Sequence, residues 1–97
     1  MTIMIITTPL DVGDLVTLRV TFTAAGVLAT PTTVTLTVRM PDGTTSTPAP
    51  TLESTGVYAY NLLLSASGAW HYRWAATGAV QAAEEGRLYV RPSRVLA

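Results

Sequence analysis

The chain has 97 residues, of which 48% are hydrophobic and 12% are charged, and six Lys+Arg are balanced by six Asp+Glu. This composition excludes a disordered chain, which has few apolar residues and a large net charge. A net charge of zero gives no general attraction for nucleic acid or for an anionic membrane. The absence of cysteine excludes a disulfide scaffold and a thiolate metal site. We therefore predict one small domain that needs no cofactor, no nucleic acid and no membrane.

The first nine residues form an apolar segment. Met1 to Thr8 carries neither the positive residues nor the cleavage site of a signal peptide, and no apolar run is long enough to span a bilayer. We predict residues 1–9 to be an arm or a first strand. Ile3 and Ile5 are its candidate partner-binding residues, because an apolar arm can add a strand to the open sheet edge of a neighbouring subunit.

Strict alternation of apolar and polar residues predicts two strands in the first half of the chain, over residues 15–23 and 33–40. Pro41-Asp42-Gly43 predicts a turn after the second strand, because each residue type favours turn geometry. Pro48 and Pro50 follow and argue against a central strand there. The residues predicted to face inward are Val16, Leu18, Val20, Phe22, Val34, Leu36, Val38 and Met40.

The second half continues the same period of two. Residues 57–64 and 69–76 are predicted strands, and residues 79–85 have the composition of a short helix. We favour an irregular strand entry there, because alternation resumes at Leu88 and Val90. The residues predicted to face inward in the two strands are Tyr58, Tyr60, Leu62, Leu64, Trp70, Tyr72 and Trp74.

Short strands with turns every eight to twelve residues predict an all-β fold. The architecture that we expect is an immunoglobulin-like β-sandwich of about seven strands, without a disulfide, over residues 10–92. Residues 93–97 are expected to be a C-terminal tail. Because no cysteine pair is present, the tryptophan and tyrosine rings are expected to supply the central packing.

Few residues carry the signature of a catalytic or metal site. His71 is the single histidine, and no HxH or HExxH spacing accompanies it, so we interpret it as an outward strand residue. Glu84 and Glu85 are adjacent and would point to opposite faces of a strand. Asp11 and Asp14 flank a glycine, which fits a turn better than a calcium site. We predict no catalytic, cofactor-binding or metal-binding residue, and no enzymatic activity.

The aromatic residues allow two interpretations. Trp70, Trp74 or Tyr89 would form a sugar-binding platform if they were exposed. The tryptophans are the candidates whose position in their strand predicts their orientation. They alternate in phase with Tyr72, however, which is typical of a strand that faces the core. We predict that they are buried.

The arginines are concentrated in the last third of the chain. If Trp70, Tyr72 and Trp74 face inward, the intervening residues face outward. In an immunoglobulin-type topology the last two strands pair beside the strand that bears Arg39. One sheet would then present Arg and Tyr side chains, which are enriched where protein surfaces bind each other. The candidate partner-binding residues are Arg39, Arg73, Arg87, Tyr89 and Arg91. A solvated face is the alternative that the sequence leaves open.

Three runs of sequence resemble a known group. They are D-V-G-D-L-V-T-L-R-V-T-F-T (residues 11–23), P-T-T-V-T-L-T-V-R-M-P-D-G (residues 31–43), and the segment from T-G-V-Y-A-Y (residues 55–60) through G-A-W-H-Y-R-W to A-A-E-E-G-R-L-Y-V (residues 82–90). Together they resemble small immunoglobulin-like proteins of tailed bacteriophages and prophages, which are encoded among head and neck genes. The resemblance covers roughly residues 10–92.

This resemblance implies a non-enzymatic structural protein of the virion, made in the host bacterial cytoplasm. It would decorate the capsid or sit at the head–tail junction. Its partners would be other virion proteins, such as the major capsid protein or neck proteins, and it would be present in homo-oligomeric or symmetric copies. The alternative function is a carbohydrate-binding or adhesive module on a phage or on a secreted bacterial protein.

Overall fold

A computed structural model describes residues 2–3, 10–78 and 80–92, and the side chains from residue 10 onward. The described part is all-β, and its five longest strands follow the alternating segments of the sequence. The strands are β1 (Thr2–Ile3), β2 (Leu10–Asp11), β3 (Leu15–Thr21), β4 (Thr23–Ala24), β5 (Val27–Leu28), β6 (Thr33–Arg39), β7 (Thr45–Ser46), β8 (Thr51–Ser54), β9 (Val57–Leu63), β10 (Gly68–Thr77) and β11 (Ala82–Arg91).

The strands form two main sheets. One has four strands in the order β1-β3-β9-β8, and the other has five in the order β2-β11-β10-β6-β7. All pairings are antiparallel except that of β2 with β11. A third, two-stranded sheet joins β4 to β5. The expectation of an all-β chain is therefore confirmed. The four-residue strand β8 and the two-residue strands other than β1 were not predicted, because pairings this short leave no periodic signal in the sequence.

The two main sheets pack against each other around one apolar core. Each sheet contributes every second residue of its strands, as the period of two requires. The predicted inward residues are buried or half-buried against this core, so the predicted orientation of the strands is confirmed. The most deeply buried large side chains are Trp74, Phe22, Leu36, Leu64, Val20, Val38 and Val90.

The strand β10 supplies the largest rings of the core. Trp70 and Trp74 are 3% and 0% exposed, and Tyr72 between them is 7% exposed. Gly86 lies opposite Tyr72 on β11, where a Cβ atom would be only 2.3 Å from the phenol ring. The missing side chain of Gly86 therefore makes room for Tyr72. Burial, followed by the nearby Glu84 carboxylate, raises the pKa of this phenol.

The predicted turns and edges are also observed. The amide of Gly43 donates to the carbonyl of Met40 at 3.0 Å, and the Asp42 carboxylate accepts from the Thr44 amide at 2.9 Å. Pro48 and Pro50 lie in the connection between β7 and β8, which are edge strands of different sheets. Residues 82–85 begin β11, so the preference for a strand over a helix is confirmed there.

The two tryptophans differ in how their indole N–H groups are satisfied. Nε1 of Trp70 donates to the carbonyl of Ala66 at 2.9 Å. Nε1 of Trp74 is buried and finds no acceptor within the part of the chain that the structure describes. A buried donor without a partner costs about 1–3 kcal/mol.

We predict that Trp70→Phe destabilises the fold by about 1–2 kcal/mol more than Trp74→Phe. Both changes remove a similar ring volume from the core. The first also breaks a hydrogen bond, whereas the second removes an unsatisfied donor. Urea unfolding of the two variants measures the difference, and equal losses of stability would contradict this account.

The β4–β5 hairpin contains the strained position of the described chain. Its two-residue loop is Ala25-Gly26, with φ values of +52° and +80°. Positive φ at both positions is the geometry of a type I′ turn, whose twist suits the flanking strands. Glycine or asparagine tolerates the first position, but alanine is strained there because of its Cβ atom.

We predict that Ala25→Asn stabilises the protein by about 1 kcal/mol, because asparagine tolerates the left-handed conformation. Gly26→Ala is the matched control and should be destabilising by a similar amount. Thermal unfolding measures both. A Tm for Ala25→Asn at or below that of the wild type would show that the loop is not strained.

Candidate functional site

The outer surface of the five-stranded sheet carries the polar side chains that alternate with the core residues of β6, β10 and β11. All five predicted partner-binding residues of the domain lie on it. Because core and surface positions alternate, burial of the β10 rings turns His71 and Arg73 outward. We call this surface the arginine face, defined by Arg39, His71, Arg73, Arg87, Tyr89 and Arg91.

Strand register aligns three of these residues in one row. His71 pairs with Arg39 on β6 on one side and with Arg87 on β11 on the other. Side chains that are directly opposite each other in antiparallel strands project from the same face. Arg39, His71 and Arg87 therefore form a continuous line across three strands, which we call the basic row. All three side chains are exposed.

The other two arginines of the face are held by carboxylates of their neighbouring strands. Arg73 Nη1 lies 2.9 Å from Oε1 of Glu85, its register partner on β11. Arg91 donates two hydrogen bonds to Asp11 of β2, at 2.9 and 3.0 Å. Within the described residues, neither Arg39 nor Arg87 has a carboxylate within 4.0 Å. Two arginines of this face, Arg73 and Arg91, are therefore bound to carboxylates of the same chain. We call the other two, Arg39 and Arg87, the available pair, because no carboxylate of the described residues binds them.

A shallow groove of about 330 Å³ runs beside the basic row. The guanidinium of Arg39 lies near the β6–β7 turn, where a Cβ on Gly43 would be 3.9 Å from Nη2. Thr37, Thr45 and the Arg73–Glu85 ion pair also line the groove. The groove is lined by Thr37, Arg39, Thr45, His71, Tyr72, Arg73, Glu85 and Gly86.

Tyr89 adds an apolar surface next to the basic row. It lies two residues after Arg87 on the same strand and is 65% exposed. Its register partner is Ala69, whose small side chain leaves the tyrosine ring uncovered on that side. Exposed tyrosine beside arginine is the combination that is enriched at protein interfaces.

The two N-terminal candidates are only partly described. Ile3 belongs to β1, whose backbone pairs with Val20 of β3 in the same chain. This pairing makes residues 2–3 a first strand of the four-stranded sheet. Ile5 lies outside the described residues, as do residues 4–9 and the predicted tail at residues 93–97.

The structure shows where the other candidate residues from the sequence lie. Trp70 and Trp74 are buried, so they do not form an exposed sugar-binding platform. Asp11 and Asp14 form a turn in which the Asp11 amide donates to the Asp14 carboxylate at 2.9 Å. Glu84 and Glu85 occupy opposite faces of β11, as predicted. Across residues 10–78 and 80–92, no group of three His, Asp or Glu side chains is arranged to hold a metal ion. No helix in that part of the chain has the length and apolarity that a membrane span needs.

Sequence reasoning missed two features of the arginine face. One is the place of His71 in the basic row, and the other is the neutralisation of Arg73 and Arg91 by Glu85 and Asp11. Both depend on which residues stand opposite each other in neighbouring strands. Alternation along one strand shows which side a residue faces but does not show its cross-strand neighbour.

The outer surface of the four-stranded sheet differs in charge. Arg19 is bound by Glu53 through two contacts, at 2.6 and 3.1 Å, and Thr17 donates to Asn61 at 2.8 Å. The hydrogen bond from Arg19 lowers the pKa of Glu53, and its positive charge adds to this effect. Each arginine described on this surface is therefore already paired.

The lowered pKa of Glu53 makes part of the stability dependent on pH. Its ionised form is favoured in the folded state, so this contribution is present above the ordinary pKa of 4.5 and is lost as the pH falls below it. We predict that Glu53→Gln reduces the fall in unfolding free energy between about pH 6 and about pH 3. Urea unfolding across this range measures the effect.

Asp42 provides a separate control for this experiment. The hydrogen bond from the Thr44 amide lowers the pKa of Asp42 below its ordinary value of 3.8. Asp42→Asn should therefore remove only the part of the unfolding free energy that is lost as the pH falls below 3.8. If the unfolding free energy of both variants falls with decreasing pH as much as that of the wild type, neither carboxylate contributes to the pH dependence of stability.

Comparison with protein-family models, with curated proteins and with solved structures finds no match to this chain. Its interpretation therefore depends on the chemistry of the described surfaces. The arginine face, with one available pair of arginines beside an exposed tyrosine, is the candidate functional site.

Proposed function

We propose that this chain is a non-enzymatic structural subunit of a tailed-phage virion. It decorates the capsid or forms part of the head–tail junction, and it acts by docking its arginine face onto another virion protein. The observation that carries the proposal is the basic row beside Tyr89, because Arg39 and Arg87 have no carboxylate partner among the described residues, whereas the other described arginines do, and unpaired charges are available to a partner.

The proposal includes an immunoglobulin-like sandwich as the fold. The strand order supports it: β1-β3-β9-β8 agrees with the A-B-E-D sheet of that fold, and β11-β10-β6 agrees with G-F-C. The additional strand β7 at the edge beside β6 corresponds to the C′ strand of variable-type domains. The chain departs from antibody domains in having its buried tryptophans on β10 and no cysteine.

The surroundings of His71 favour docking over catalysis. A catalytic histidine is normally oriented by a carboxylate, which stabilises its charged form. Here the cross-strand neighbours of His71 are two arginines, Arg39 and Arg87. The side chain also lies on an exposed sheet face that does not exclude water. These surroundings suit a polar interface residue and do not suit a general base.

Association with particles tests this function. Virions are purified on a density gradient from the phage or induced prophage that encodes the chain, and the chain is measured by quantitative mass spectrometry. We expect it in the particle fraction at a fixed number of copies. Its absence from particles, while it is abundant in the same lysate, would contradict the proposal.

A matched pair of variants tests whether docking uses the arginine face. Tyr89→Ser removes an apolar group from this face, and Leu63→Ser removes one of similar exposure, 55% against 65%, from the other sheet. We expect Tyr89→Ser to lower particle occupancy about tenfold, as loss of an interface tyrosine does. Leu63→Ser should leave occupancy unchanged. Equal occupancy of the two variants would exclude the arginine face.

A further inference from the structure

We infer that the surface docked by the arginine face is an acidic protein surface, which presents separate carboxylates to Arg39 and Arg87. This inference rests on the proposed docking function and specifies the chemistry of the partner. The argument follows from the ion pairs within the domain, from the spacing of the basic row and from the cost of burying charge.

The ion pairs show which arginines are available. Arg73 and Arg91 already fill their hydrogen-bonding capacity in part with Glu85 and Asp11, and recruiting them would break contacts of 2.9 to 3.0 Å. Arg39 and Arg87 need no such exchange. A carboxylate that approaches either one gains a charge-assisted hydrogen bond without the loss of an existing bond.

The register of the sheet fixes the separation of the two available arginines. They lie on β6 and β11, on either side of β10, and face each other across His71. Two strand spacings place their Cα atoms about 10 Å apart. Each guanidinium makes its usual two-point contact with one carboxylate, so a partner with two carboxylates satisfies both arginines at the same time. The fitting partner therefore carries two carboxylates at about this spacing.

The loss of water from Arg39 and Arg87 on docking is the reason why the partner needs carboxylates. Docking that covers the basic row removes water from two guanidinium groups, and a charge that is buried without a counter-charge weakens binding severely. A neutral or basic partner would leave both groups without a counter-charge. The arginine face itself sums to two excess positive charges, because its four arginines are opposed by Glu85 and Asp11. The partner surface must supply the compensating negative charge.

Nucleic acid fits these observations less well. Nucleic-acid-binding domains carry many cations along a groove and are commonly basic overall. This chain has a net charge of zero and only two available arginines on the face. A protein surface with a few carboxylates matches these two arginines in charge. A nucleic acid carries many more phosphates than two arginines can neutralise.

Titration of the labelled domain with a hexaglutamate peptide tests the inference. The readout is the shift of backbone amide signals in β6, β10 and β11, at low salt and at high salt. The variant Arg39→Gln with Arg87→Gln removes the available pair. The control Arg73→Gln with Glu85→Gln removes a neutral ion pair from the same face. Thermal unfolding verifies that both variants fold.

We expect the Arg39/Arg87 variant to bind the peptide at least about tenfold more weakly than the wild type. The Arg73/Glu85 control should stay within about twofold, and binding by the wild type should weaken at high salt. Equal losses in the two variants, no binding by the wild type, or tighter binding of an oligothymidylate of equal charge would overturn the inference. Self-association of the wild type that the Arg39/Arg87 variant abolishes would identify the occupant as a second copy and would also overturn it.

The same variants in the particle assay separate this inference from the proposed function. If the chain is absent from virions but peptide binding requires Arg39 and Arg87, the virion function fails and the acidic-partner site stands. If the chain is present in virions and the Arg39/Arg87 variant retains full occupancy, the virion function stands and the acidic partner is excluded.

Discussion

The fold depends on the burial of three aromatic rings from one strand between two sheets. Trp70, Tyr72 and Trp74 lie on β10, which is the middle strand of the five-stranded sheet. Each ring buries a large apolar area, roughly 150–250 Å², and removal of apolar surface from water is the main favourable term in folding. A domain of this size without a disulfide has few other sources of stability, so these rings hold the sheets together.

The same rings determine where the charged residues lie. Because successive side chains of a strand point to opposite sides, inward rings at alternate positions of β10 require His71 and Arg73 to face outward. The two neighbouring strands are fixed against β10 by their own buried residues, Leu36 on β6 and Leu88 on β11. The packing of the core therefore also determines which residues lie on the outer face. A register slip of one residue would bury arginine and expose tryptophan.

The contrast between the two outer surfaces supports the proposal that the arginine face is a docking surface. On the four-stranded sheet, Arg19 is bound by Glu53 and Thr17 by Asn61, so the polar groups satisfy each other. On the five-stranded sheet, Arg73 and Arg91 are bound by carboxylates and Thr33 is bound by Thr77, but Arg39 and Arg87 have no carboxylate partner among the described residues. Unpaired charge costs little while it remains hydrated, and it favours association with a surface of opposite charge over association with other surfaces. This asymmetry is the reason why we propose the arginine face, and not the opposite surface, as the docking surface.

The sequence by itself determined the secondary structure class, the inward and outward residues of the long strands and the main turns. It determined these features because alternation and turn chemistry are local properties of the chain. Only the tertiary structure decided that Arg39, His71 and Arg87 stand in one row, that Glu85 and Asp11 neutralise Arg73 and Arg91, and that β2 joins β11 in parallel. These relations join residues up to 80 positions apart. They follow from strand order and register, which are fixed by the packing of the two sheets and leave no periodic signal along a single strand.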